Sequence, residues 1–153
     1  MKIPTHNNRL MPYLVLPTAY KFADFVKNVF GATEQVIMPR GEGVIMHGEL
    51  RIGDSVIMLA DEHPEIGALA PSTIGGTPVG LHVYLEDVDA VAAKAIAAGA
   101  TLKRPVENQF YGDRLGSIID PFGHLWHIST HIEDVSPEEI GRRAAAAMQG
   151  QPV

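Results

Sequence analysis

Seven histidines, eighteen carboxylates and no cysteine define the chemistry open to this chain of 153 residues. His47 and Glu49 are two apart, so in a strand they share one face, opposite Met46 and Gly48. His82 and His127 fall in two further β-rich segments. A histidine beside a carboxylate can exchange protons near neutral pH. Two histidines and one carboxylate, here His82, His127 and Glu49, would also suit Fe(II), Mn(II) or Zn(II). The same residues read equally as hydrogen-bonding groups lining a cavity, with Tyr13, Tyr84, Met58 and Met11 as its apolar and polarisable walls. In Gln109-Phe110-Tyr111-Gly112-Asp113-Arg114, Tyr111 and Arg114 would meet a ligand from a loop, or Asp113 and Arg114 would pair to fix that loop. His6, His63 and His131 read as histidines satisfied by their surroundings.

Short segments separated by 15 glycines and 11 prolines must position these groups. Pro12 to Leu16 reads as a strand. Thr18 to Gly31 follows as a helix, with Phe22, Phe25, Val26 and Val29 at helical spacing and Thr18 as its cap. Thr33 to Met38, Val44 to Ile52 and Ser55 to Ala60 supply three strands, the last two joined at Gly53-Asp54. Residues 62–78 hold three prolines and three glycines and read as a connector. The order then restarts: a strand over Val79 to Leu85, and a helix capped by Asp87 and ended by Gly99. Strands over Thr101 to Val106, Gly116 to Ile119 and Leu125 to Thr130 complete it. Ser136-Pro137-Glu138-Glu139 is a capping box with proline at the first helical position, opening a helix to about Met148.

The helix-end glycines Gly31 and Gly99 are 99 − 31 = 68 apart, and the hairpin glycines Gly53 and Gly123 are 123 − 53 = 70 apart. Chance could align a few glycines, but the apolar segments align with them. The reading is one α+β domain over 1–153 made of two tandem βαβββ modules, about 9–61 and 79–131, plus a C-terminal helix over about 136–148. That helix serves either as a docking or dimer-edge element or as a solvated tail.

Two βαβββ modules joined by a Gly/Pro connector resemble the vicinal oxygen chelate superfamily, which holds glyoxalase I, bleomycin and fosfomycin resistance proteins and extradiol dioxygenases. Met46 to Asp54, Tyr111-Gly112-Asp113-Arg114 and Asp120-Pro121-Phe122-Gly123-His124-Leu125-Trp126 are similar to its demethylubiquinone-methyltransferase-like branch. The resemblance implies a curved-sheet cup between the modules, with helices on the outside. It also implies metal ligands on the first and fourth strand of each module, which fall here on Met11, Met58, Gly80 and His127. Two thioethers and a glycine are no set for a hard divalent ion, so the glyoxalase I site is expected to be absent.

These expectations favour a binder of a small organic ligand in the cup, of the bleomycin-resistance kind. Its ligand contacts would be Tyr13, His47, Glu49, Met58, His82, Tyr84, Tyr111, Arg114 and His127. The alternative is a metal-dependent lyase, isomerase or dioxygenase using a shifted set, with Glu49, His82 and His127 catalytic. No cofactor is favoured, and a divalent metal belongs only to the alternative. A homodimer whose clefts use both chains is expected. Net charge is −6 with no basic run, so neither nucleic acid nor an anionic membrane is an expected partner. No apolar stretch reaches a membrane span, Met1 to Leu10 has no apolar signal core, and cysteine is absent. A soluble cytoplasmic protein is the expectation. Walker, Rossmann, nucleophile-elbow and zinc-deaminase patterns are missing.

Overall fold

The structure, a computed structural model, describes residues 4 and 7–150; His6 lies outside the described residues. The first module runs β1 (Tyr13–Leu16), α1 (Ala19–Phe30), β2 (Thr33–Pro39), β3 (Ile45–Ile52) and β4 (Ser55–Asp61). The connector holds a 3-10 turn at Pro64–Ile66 and one helical turn, α2 (Pro71–Ile74). The second module runs β5 (Gly80–Tyr84), α3 (Val88–Ala97), β6 (Thr101–Asn108), β7 (Asp113–Ile119) and β8 (Leu125–His131), and α4 (Pro137–Met148) ends the fold. This is the α+β pair of βαβββ modules with a C-terminal helix that the repeat spacing implies. No helix among the described residues is long and apolar enough to cross a membrane.

Each module builds a four-stranded sheet in the order first, fourth, third, second strand: β1-β4-β3-β2 in sheet one and β5-β8-β7-β6 in sheet two. The first and fourth strands are parallel and the other pairs antiparallel. A parallel pair needs a crossover, which α1 and α3 begin. Gly31 closes α1 in the left-handed region, and its N–H reaches the Lys27 carbonyl. Thr18 stands at the α1 N-cap, but its hydroxyl caps nothing. Asp61, at the end of β4, accepts instead from the Ala19 N–H at 3.0 Å and from the Ile45 N–H at 2.6 Å, tying helix to sheet. Asp87 caps α3 through the Ala90 N–H, and Ser136 caps α4 through the Glu139 N–H, as the sequence implies.

One apolar cluster joins the modules. Leu14, Leu16, Leu50 and Leu59 bring one face of sheet one to it; Ile118, Trp126 and Ile128 bring one face of sheet two. Helix α1 serves both. Its Phe22 stacks on Trp126 and meets Phe122 edge-on, while Phe30 lies 4.6 Å from the Trp126 ring. Asp120 fixes this corner by accepting from the Trp126 indole N–H at 2.9 Å and from the Phe122 and His124 backbone. Trp126 is thus a core residue packed on a helix.

Candidate functional site

Because α1 and α3 cover the apolar face of each sheet, the opposite face carries the polar residues. Strand register fixes which ones. In sheet one Tyr13 pairs with Met58, Met58 with Glu49 and Met38 with His47, so Tyr13, Met58, His47 and Glu49 all stand on the outer face. The Tyr13 hydroxyl is 2.9 Å from His47 Nδ1, and His47 Nε2 is 3.2 Å from Glu49 Oε1. Gln35, the extra residue of a bulge in β2, donates to Glu49 Oε2 at 2.6 Å, and Asn7 donates to Oε1. Burial alone pushes the Glu49 carboxyl upward. The hydrogen bonds from His47, Gln35 and Asn7 outweigh burial and hold it below its ordinary value.

In sheet two His82 pairs with His127, and Ser117 pairs with His127 from the other side. The two imidazole centroids are 6.2 Å apart. Ser117 Oγ lies 2.8 Å from His127 Nδ1, and Ser129 Oγ lies 2.9 Å from His82 Nε2, which fixes both rings. Burial, reinforced by the charges of His82, Lys103 and Arg104, lowers the His127 pKa, so this ring is held neutral. Further along the face the Tyr84 hydroxyl donates to Asp113 at 2.8 Å, and Asp113 also meets His131 Nδ1 at 2.8 Å. Asp113 and Asp134 raise the His131 pKa, while the hydrogen bond to Asp113 raises that of Tyr84. Tyr111, Tyr84, Asp113, His131 and Ser136 border a shallow depression of about 510 Å³. A larger groove of about 780 Å³ runs between the modules, bordered by Pro12, Ile52 and Val56 on one side and by β5 with His82 and Tyr84 on the other.

The two faces are copies of one plan. Tyr13–Met58 and His82–His127 are the equivalent register pairs, since 82 − 13 and 127 − 58 both equal 69. Glu49 beside Met58 matches Ser117 beside His127. The structure does not bring the copies together around one cavity within the chain. Both sheets turn their apolar faces to α1 and their polar rows away from it. Glu49 therefore does not join His82 and His127. Among the described residues no group of three or more histidines and carboxylates is placed to hold a metal. The family positions fit no better. Met11 precedes β1, Met58 packs beside Tyr13, and a Cβ on Gly80 would lie 2.9 Å from His127 Nε2.

Two expectations on the 109–114 segment need correction. Asp113 and Arg114 belong to β7, and they do not pair with each other. Arg114 alternates with Asp113 and so points to the helix side, where it grips Asp89 of α3 at 2.7 and 2.8 Å and Asn108 at 3.0 Å. It leaves the ligand-contact set. His131, read from sequence as a bystander, instead stands on the outer face between two carboxylates. Ser117 and Ser129 escaped the sequence reading, and Asp113 entered it only as a partner for Arg114. Their signal is simple alternation: 127, 129 and 131 share a face, as do 113, 115 and 117.

Over 144 residues, 92% of this chain and 93% of the relative, the sequence is 38% identical to the uncharacterised protein Mb0911c of Mycobacterium bovis. Among solved structures it is similar to TioX from Micromonospora sp. ML1, with TM-score 0.64, 25% identity, and coverage of 82% of this chain and 100% of that one. The fold is also that of a putative 3-demethylubiquinone-9 3-methyltransferase, a PhnB protein from Bacillus cereus, with TM-score 0.62, 18% identity, and coverage of 80% and 99%. A family model matches residues 13–128, both modules from β1 into β8. The chain belongs to the Glyoxalase/Bleomycin resistance protein/Dioxygenase superfamily.

Proposed function

We propose that the protein binds a small organic ligand in a cup that two copies of the chain complete, without a metal site of the glyoxalase I kind. One observation carries this reading: each sheet turns an ordered, partly exposed polar face away from the core, and the two faces are register-equivalent. A two-fold partner can lay its sheet two opposite sheet one of the first chain, making two identical cups. The edge strands β1 and β5 support it, because an unpaired edge invites a second chain. Tyr13 and Tyr84, 51% and 61% exposed, would gain cover there.

In this cup His82 and His127 offer fixed imidazoles, while Tyr13, His47 and Glu49 offer a hydrogen-bonded row. Met58 and Tyr84 provide apolar wall, and Tyr111 borders the rim. A drug-sized or metabolite ligand held in this way would be sequestered as in bleomycin resistance proteins. The absence of cysteine suits work in a reducing cytoplasm.

Protein purified without chelator tests the metal half of the reading. Sub-stoichiometric metal, unchanged in His82→Ala and His127→Ala variants, is expected, together with a dimer in sedimentation. Stoichiometric metal lost in both variants would replace the binder with the metal-dependent enzyme.

A further inference from the structure

The outer face of sheet one carries more than a row of polar contacts. Glu49 is 7% exposed and ionised, and an ionised carboxylate only accepts hydrogen bonds. Facing it at 3.2 Å, His47 Nε2 must carry a proton. With that proton on Nε2, His47 presents a bare lone pair on Nδ1, which accepts the Tyr13 O–H hydrogen bond at 2.9 Å. Gln35 and Asn7 hold the carboxylate, so the ring cannot pull it round. The phenol at the open end is half exposed. Its pKa is raised by burial, so at neutral pH it still has a proton to pass inward.

We propose that Glu49, His47 and Tyr13 form a proton relay that makes the Tyr13 oxygen a general base toward a ligand bearing a weakly acidic C–H or O–H group. The ligand's bond to hydrogen breaks, its electron pair stays on the ligand, and the proton binds the Tyr13 oxygen. The original phenol proton moves to His47 Nδ1, and Glu49 stabilises the imidazolium formed. Glu49 acts as a positioning residue, setting the tautomer. The second module has no counterpart. There Tyr84 donates directly to the Asp113 carboxylate, which ties up its proton and raises its pKa. The catalytic use of the relay rests on the reading that this face takes a ligand; its proton chemistry does not.

Acetylation by N-acetylimidazole, followed residue by residue with mass spectrometry, tests the relay without any natural ligand. In that reaction an acyl–oxygen bond forms on the phenol and the acyl–nitrogen bond breaks; the phenol proton passes to His47 and from there to the departing nitrogen, so imidazole leaves neutral. At concentrations where the protein is monomeric, Tyr13, Tyr20 and Tyr84 have comparable exposure, 51%, 40% and 61%, so differences in rate report activation rather than access. Near pH 7.5 Tyr13 should react about tenfold or more faster than Tyr20 and Tyr84, a modest share of what general-base assistance can give. His47→Gln should bring Tyr13 down to the Tyr20 rate, and Glu49→Gln should lower it in between. Nitrogen-15 spectra of the unmutated chain provide a readout that needs no variant: His47 should be the Nε2–H tautomer. A Tyr13 rate equal to that of Tyr20, a rate indifferent to His47→Gln, or an Nδ1–H tautomer would each overturn the relay. Fast acetylation in a protein that takes up no organic fragment would keep the relay and overturn the binding reading instead.

Discussion

At Gly80 a side chain has no room, because a Cβ would stand 2.9 Å from His127 Nε2. The glycine thus leaves His127 its place beside Ser117 and opposite His82. Such fine placement is set by register, and register also decides each charge on these faces. His131 shows the consequence for pH. Its ordinary value is 6.5, and its bonds to Asp113 and Asp134 raise it in the fold. A raised histidine adds stability that is fully present below its unfolded pKa and is lost as pH rises through the folded value. Urea unfolding midpoints should therefore fall from pH 6.5 upward more steeply in the unmutated chain than in His131→Gln. Parallel curves for the two proteins would show that His131 adds nothing. His127 acts in the opposite sense: lowered by burial, it costs stability as pH falls, so the comparison with the single variant is what isolates His131.

Among the elements, α1 matters most, because its aromatic face serves both sheets. The Trp126→Ala variant removes the ring against which Phe22 and Phe30 pack, and orphans a buried Asp120 oxygen. A loss of about 3–5 kcal/mol in unfolding free energy is expected, and both modules should loosen together in hydrogen exchange. Protection lost only in β5 to β8 would mean that the modules do not share this core. Most elements were legible in the sequence because each rests on local chemistry. Gly31, Gly53, Gly99 and Gly123 all adopt positive φ at the turns where the pattern placed them. The capping box of α4 closes as written. The segment 109–114 was misjudged because Gly112 and its turn suggested a loop, whereas Asp113 starts β7 opposite His131. The charge on Arg114 suggested a ligand, but alternation sends it to Asp89.

For the whole molecule, the repeat predicted two sheets but not how they pack. That depends on Phe22 and Phe30 meeting Trp126, a contact across about a hundred residues that no periodicity reveals. The sequence suggested a cup between the two modules, in a dimer whose clefts use both chains, with Glu49 near His82 and His127. Instead, the aromatic contact turns the polar faces outward, away from α1, and Glu49 does not join His82 and His127. Thus the residues of each row were readable from parity, while their meeting was not.

The most direct measurement maps a library of drug-sized organic fragments onto the isotopically labelled chain by NMR, after treatment with EDTA. The account predicts that a bound fragment shifts Tyr13 and His47 together with His82 and His127, and that it does so only at concentrations where the protein is dimeric. Shifts confined to one module, undiminished at concentrations where the protein is monomeric, would contradict the two-chain cup. Binding abolished by EDTA would contradict its independence of metal.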